Sequence, residues 1–64
     1  IRLAFKVPGS GYGGAMRILR PFQVKEGWLE DGSWACVVDI PAGMKGELIG
    51  QIMKVSSQTE VKEM

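Results

Sequence analysis

Several residue types that catalysis and covalent cross-linking usually require are missing from this sequence. It contains no histidine and no asparagine, and Cys36 is the single cysteine among its 64 residues. One cysteine cannot form an internal disulfide, which excludes a disulfide-stabilised secreted scaffold and predicts a reducing, cytoplasmic environment. Without histidine, general acid–base catalysis, nucleophilic catalysis and structural zinc sites all lack their usual side chains. We therefore expect a protein that is not an enzyme and that uses no metal or cofactor.

Long apolar runs and a strong excess of one charge are also absent. No run approaches the ~20 apolar residues that a transmembrane helix needs, so we expect no membrane contact. Eight basic and seven acidic residues leave a net charge of +1, short of the basic surface of an autonomous nucleic-acid-binding domain. A hydrophobic fraction of 45% is nevertheless that of a folded domain. Because the chain starts directly in a strand-like pattern, we expect residues 1–64 to be one domain of a longer protein.

The first part of the chain predicts a strand followed by a helix. Hydrophobic and polar residues alternate from Ile1 to Val7, which is the period of a half-buried strand. Ser10 is then expected to cap a helix that ends at Pro21. Three glycines weaken its first turn, so close packing or a partner must require them. The apolar face of this helix consists of residues at helical spacing, namely Tyr12, Ala15, Met16 and Leu19.

The middle of the chain predicts a β-hairpin from Phe22–Glu30 to Ser33–Ile40, because Asp-Gly between two apolar alternations is a strong hairpin signal. A two-residue loop would place Leu29 opposite Trp34. A three-residue loop, with Gly32 as a left-handed bulge, would instead place Trp28 opposite Trp34. We favour the bulge, because it puts both indoles on one face together with Val24, Cys36 and Val38, where aromatic contact adds ~0.5–1.5 kcal/mol.

The last third predicts a second helix and a fourth strand. Apolar residues recur at helical steps from Met44 to Val55, and residues 58–64 alternate again. The element order is therefore β-α-β-β-α-β. This order predicts an α+β, ferredoxin-like two-layer sandwich, in which one four-stranded antiparallel sheet carries both helices on one face.

Four basic residues are the candidate contact positions. Arg2 and Lys6 lie on the polar side of the first strand, and Arg17 and Arg20 lie away from the apolar face of the first helix. Such side chains can position an RNA backbone through its phosphates without reading its sequence. Solvated surface charge explains the four residues equally well. Base stacking on the open sheet face is not expected, because the third strand offers that face no aromatic residue.

The hairpin and the loop after it carry a family resemblance. Residues 26–43 read EGWLEDGSWACVVDIPAG. The stretch resembles the last domain of archaeal members of the Shwachman-Bodian-Diamond syndrome (SBDS) family, which have a Trp, a short polar link, Asp-Gly-Ser-Trp, an apolar strand and an acidic-Ile-Pro-Ala-Gly. The first strand, the Val-Pro-Gly after it and the start of the first helix are similar too, so the resemblance covers essentially the whole chain.

The resemblance implies the C-terminal, third domain of a ribosome maturation factor. It implies binding to the RNA and proteins of the large ribosomal subunit, and release of an anti-association factor together with an elongation-factor-like GTPase. We expect the domain to act as a monomer. The alternative is a regulatory domain of the ACT type, which shares the fold and binds a small molecule at a dimer interface.

Overall fold

The computed structural model describes residues 1–64 as one four-stranded antiparallel sheet with two α-helices. The strands are β1 (Arg2–Val7), β2 (Gln23–Trp28), β3 (Trp34–Asp39) and β4 (Glu60–Glu63), and the helices are α1 (Tyr12–Leu19) and α2 (Lys45–Val55). Short 3-10 turns precede both helices, and a third follows α1. The strand order across the sheet is β2-β3-β1-β4, with every neighbouring pair antiparallel. The predicted ferredoxin-like arrangement is confirmed.

The hydrophobic core lies between the sheet and the two helices. It consists of eleven buried residues from the two central strands, both helices and the loop after β3: Leu3, Phe5, Val7, Ala15, Leu19, Trp34, Cys36, Val38, Ile40, Leu48 and Ile52. Alternate residues of β1 and β3 are buried, and residues four apart are buried in each helix. The strand and helix periods predicted from the sequence are therefore confirmed.

The hairpin adopts the predicted three-residue loop with a bulge. The Gly32 amide donates to the Leu29 carbonyl at 3.1 Å, and the Leu29 amide donates to the Ser33 carbonyl at 2.8 Å. Gly32 has a φ of +87°, the left-handed conformation that glycine adopts without steric cost. Trp28 consequently lies opposite Trp34.

Three local predictions need correction. Ser10 does not cap α1, because it lies in a 3-10 turn and the N-cap position falls on Gly11. Val24 does not join the buried face, since a bulge between Gln23 and Lys25 interrupts the pairing and leaves Val24 53% exposed. Trp28 shares the helix side of the sheet but is 57% exposed, because β2 is an edge strand.

The chain before α1 approaches the chain after α2 very closely. A Cβ atom added to Gly11 would lie 2.7 Å from the Cβ of Ser56, and one added to Gly14 would lie 2.5 Å from a methyl group of Val55. At Gly13 an added Cβ would meet nothing within 4 Å. Close packing therefore requires two of the three glycines at the start of this helix.

Candidate functional site

The four basic residues predicted as contact positions lie on two different layers of the domain. Arg2 and Lys6 alternate with the buried residues of β1, so they lie on the sheet face that no helix covers. Arg17 lies in α1 and Arg20 in the turn that follows it, both exposed on the helix layer. The structure therefore divides the four residues between two layers and does not gather them into one cluster.

On the open sheet face, Lys6 is already paired with acidic side chains. Its Nζ atom lies 3.3 Å from Asp31 Oδ2 and 3.7 Å from Glu60 Oε2. The hydrogen bond from the Ser33 backbone amide lowers the pKa of Asp31, with a smaller contribution from Lys6, so this carboxylate stays charged. Lys6 is thus less available to phosphate than the sequence suggested, whereas Arg2 forms no ion pair.

Two further lysines on the open face were missed by the sequence analysis. The strand pairing places Lys25 opposite Val37 on β3, Val37 opposite Ala4 on β1, and Ala4 opposite Lys62 on β4. Neither lysine forms an ion pair. Alternation along β2 and β4 was the sequence signal that could have placed these lysines on the open face. In β2 that signal fails, because the bulge between Gln23 and Lys25 shifts the alternation, and only the observed pairing with β3 shows the side of Lys25.

Helix α1 and the turn after it carry two basic residues, Arg17 and Arg20. Helix α1 contains no acidic residue, and neither Arg17 nor Arg20 forms an ion pair. Arg20 also lines a groove of about 260 Å³ beside Gln23 and Glu26. The Glu26 carboxylate accepts hydrogen bonds from the Gln23 amide and from the Trp34 indole, the latter at 3.3 Å. The Glu26 carboxylate therefore contacts the buried Trp34 indole as well as a surface side chain.

An aromatic cluster connects α1 with the hairpin. The Tyr12 ring lies 4.8 Å from the Trp28 ring and 5.1 Å from the Trp34 ring, in tilted and edge-to-face arrangements respectively. Trp34 is fully buried, whereas Trp28 and its neighbour Leu29 are exposed. Exposed tryptophan residues are enriched among the residues that dominate protein-binding surfaces. The sequence analysis missed this because it did not identify β2 as the edge strand.

Cys36 lies in the core between the sheet and the helices. Burial raises the pKa of its thiol to about 11, with a further contribution from the charge of Glu26. The thiol is therefore protonated at neutral pH and does not act as a nucleophile there. The fold gathers no group of three or more side chains that could ligate a metal. Neither helix has the length and apolar character to cross a membrane.

Comparison with known protein families identifies the domain. The family model described as "SBDS protein, C-terminal domain" matches residues 1–64. The chain belongs to the SBDS family. It is also 33% identical over 58 residues to a protein of Methanothermobacter thermautotrophicus named "Ribosome maturation protein SDO1 homolog". This match covers 88% of the chain and 25% of the relative, so the chain spans about a quarter of the length of that relative.

The family assignment confirms the resemblance found in the hairpin and its following loop. The relative is named a ribosome maturation protein, so the family model and this match together place the chain in a ribosome maturation family. The sheet face of mixed charge and the basic residues of α1 and its following turn therefore belong to an SBDS C-terminal domain.

Proposed function

We propose that this SBDS domain is the C-terminal docking domain of a longer ribosome maturation factor. It binds the large ribosomal subunit through ribosomal RNA and ribosomal proteins. It thereby supports the release of an anti-association factor together with an elongation-factor-like GTPase. In this proposal the domain is cytoplasmic, monomeric and non-catalytic. The match covers 25% of a ribosome maturation protein, so about three quarters of that relative lies outside the match, which supports a docking task within a longer protein.

The observation that carries the proposal is the unpaired positive charge of α1 and of the turn that follows it. Arg17 and Arg20 lie three residues apart along the chain, close to one helical turn, and no carboxylate neutralises either guanidinium. A guanidinium presents several donors in a planar fork that matches phosphate oxygens. These two residues are the proposed contacts with ribosomal RNA phosphate. Arg2 on the open face is a third contact position, and Lys6 is the weakest of the four because two carboxylates hold it.

Charge reversal on α1 tests the proposal. In the full-length protein, Arg17→Glu combined with Arg20→Glu should weaken co-sedimentation with purified large subunits by at least about tenfold at moderate salt. The slope of log affinity against log salt should also decrease by about 1.5, since each lost phosphate contact removes about 0.7–0.9 from it. Thermal unfolding of the variant should stay close to that of the parent, because both side chains are exposed.

A charge reversal on the other helix provides the control. Lys54 is an exposed cation in the last turn of α2, and Lys54→Glu should leave the salt slope unchanged. An unchanged slope for the Arg17 and Arg20 variant would remove these residues from the interface. Loss of binding in both variants to the same extent would mean that net charge, and not this helix surface, controls the interaction.

The ACT-like alternative is not favoured by any feature of the domain. The three cavities are open surface grooves, and close packing against Val55 and Ser56 explains Gly14 and Gly11. Titration with amino acids, followed by analytical ultracentrifugation, distinguishes the two functions. A dimer that forms only with a ligand would replace the docking proposal.

A further inference from the structure

A groove of about 260 Å³ lies between α1 and the edge strand β2. Tyr12, Met16 and Arg20 recur every four residues and form its wall on the side of α1. Gln23 and Glu26 form the wall on the side of β2. Eight residues of helix span ~12 Å, so this length separates the Tyr12 end of the groove from the Arg20 end.

The exposed Trp28 borders the Tyr12 end of the groove. Glu26 and Trp28 lie opposite the buried residues Cys36 and Trp34 of β3, so both side chains are on the helix side of the sheet. The Tyr12 ring lies 4.8 Å from the Trp28 ring, and Trp28 is nevertheless 57% exposed. The indole is therefore held from the side of α1 and is open to solvent on its other side.

The two ends of the groove differ in charge. At one end no carboxylate pairs with Arg20 or with Arg17 on the preceding turn. Beside the indole, the Glu26 carboxylate accepts hydrogen bonds from the Gln23 amide and the Trp34 indole. A carboxylate has about four lone-pair sites, so Glu26 can accept further donors. The groove thus offers a cation for phosphate at one end and an acceptor for a base edge at the other.

The surroundings of Trp28 favour an unpaired base over a protein side chain. A tryptophan that dominates a protein interface lies in a well-packed, fully desolvated pocket near the centre of that interface. Trp28 instead lies at the edge of the sheet, and the groove residues beyond Tyr12 and Met16 are charged or polar. Its exposed apolar neighbour, Leu29, lies on the opposite face beside Val37. A single aromatic ring at the end of a basic groove matches the way in which proteins bind unpaired RNA.

We propose that this groove binds an unpaired nucleotide of ribosomal RNA. The base stacks on the Trp28 indole, its amino group donates to the Glu26 carboxylate, and Arg20 binds a phosphate of the same strand. Guanine, adenine and cytosine carry such an amino group, whereas uracil presents carbonyl oxygens that a carboxylate repels. This inference rests on the proposed function, because it names the kind of RNA element that Arg17 and Arg20 contact.

Substitutions of Trp28 in the full-length protein test the stacking. Trp28→Leu keeps an apolar side chain but removes the ring, and it should weaken co-sedimentation with purified large subunits by about tenfold. Trp28→Phe keeps an aromatic ring and should weaken it by less than about threefold. Leu29→Ala is the matched control, because it removes the exposed neighbour on the opposite face and should leave binding unchanged. Thermal unfolding checks that each variant is folded.

Chemical probing of the ribosomal RNA identifies the ligand. Dimethyl sulfate modifies unpaired adenine and cytosine, and kethoxal modifies unpaired guanine, on the base edge that the Glu26 carboxylate contacts in this proposal. The parent protein should protect at least one such base. This protection should be lost with Trp28→Leu, retained with Trp28→Phe and Leu29→Ala, and reduced with Glu26→Gln, which replaces one acceptor oxygen by a donor.

The outcomes separate this inference from the proposed function. Weaker co-sedimentation of Trp28→Leu without loss of any base protection would mean that Trp28 contacts a protein, and it would overturn the inference. Unchanged binding and protection with Trp28→Leu, or equal losses with Leu29→Ala, would overturn it too. In each case a reduced salt slope for the charge reversal of Arg17 and Arg20 leaves the docking function intact. If that slope is also unchanged, the proposed function fails as well.

Discussion

The contact between Gly11 and Ser56 makes a sharp prediction about stability. Gly11→Ala would introduce a methyl group 2.7 Å from the Cβ of Ser56, well inside van der Waals contact. A Cβ position is set by the backbone, so rotation of the Ser56 side chain cannot relieve the clash. The two chain segments must move apart, and overpacking of this kind costs about 1–3 kcal/mol.

Gly13→Ala is the matched control, two residues away in the same helix turn. An added Cβ there meets no atom within 4 Å, and the change removes the flexibility of a helical glycine, which stabilises by about 0.5–1 kcal/mol. The two substitutions should therefore change the free energy of unfolding in opposite directions. In a domain of this size, 1 kcal/mol corresponds to about 4–8 °C in melting temperature.

Urea unfolding, monitored by circular dichroism, measures the free energy of unfolding of both variants and of a rescue variant. Removing the Cβ of Ser56 with Ser56→Gly should restore part of the stability lost in Gly11→Ala, with a coupling of at least about 1 kcal/mol in a double-mutant cycle. Equal effects of Gly11→Ala and Gly13→Ala would refute the reasoning. Failure of Ser56→Gly to restore any stability would refute it as well, because the clash would then lie elsewhere.

Two further predictions concern the core and the hairpin. Trp34→Ala should lower the free energy of unfolding by about 3–5 kcal/mol, because it empties a buried site. Trp28→Ala should lower it by only about 1 kcal/mol, because Trp28 is exposed and loses mainly its contact with Tyr12. Equal shifts in the urea midpoint would contradict this difference. The Cys36 thiol ionises near pH 9 in the unfolded chain and near pH 11 in the folded one, so the free energy of unfolding should fall as the pH rises from 9 to 11. Cys36→Ala should lack this component of the pH dependence, and identical curves for both proteins would exclude it.

The sequence predicted the elements that depend on local periodicity. Alternation in β1 and β3 and the four-residue spacing of Leu48 and Ile52 reflect burial on one face, and a single core requires that burial in so short a chain. The hairpin register was predictable for a different reason. Only a residue that tolerates positive φ fits the third loop position, and Gly32 was the residue available there.

Features that depend on contacts between distant segments were not predictable in the same way. The Ser10 cap failed because the chain enters α1 through a 3-10 turn. The side of Val24 was wrong because a bulge shifts one residue without a clear sequence signal. The exposure of Trp28 depends on the order of strands across the sheet, which alternation along a single strand does not contain.

The division of positive charge between two layers limits what the predicted contact residues can do together. Arg2 lies on the open sheet face and Arg17 on the helix layer, with the hydrophobic core between them. The domain measures 18 Å along its shortest axis, about twice the Debye length of ~8–10 Å at physiological salt. A flat partner surface therefore interacts strongly with one layer only. If Arg17 and Arg20 contact RNA phosphate, the mixed charges of the sheet face remain free for a second partner, and a domain of this size can hold two components of an assembly at a fixed separation.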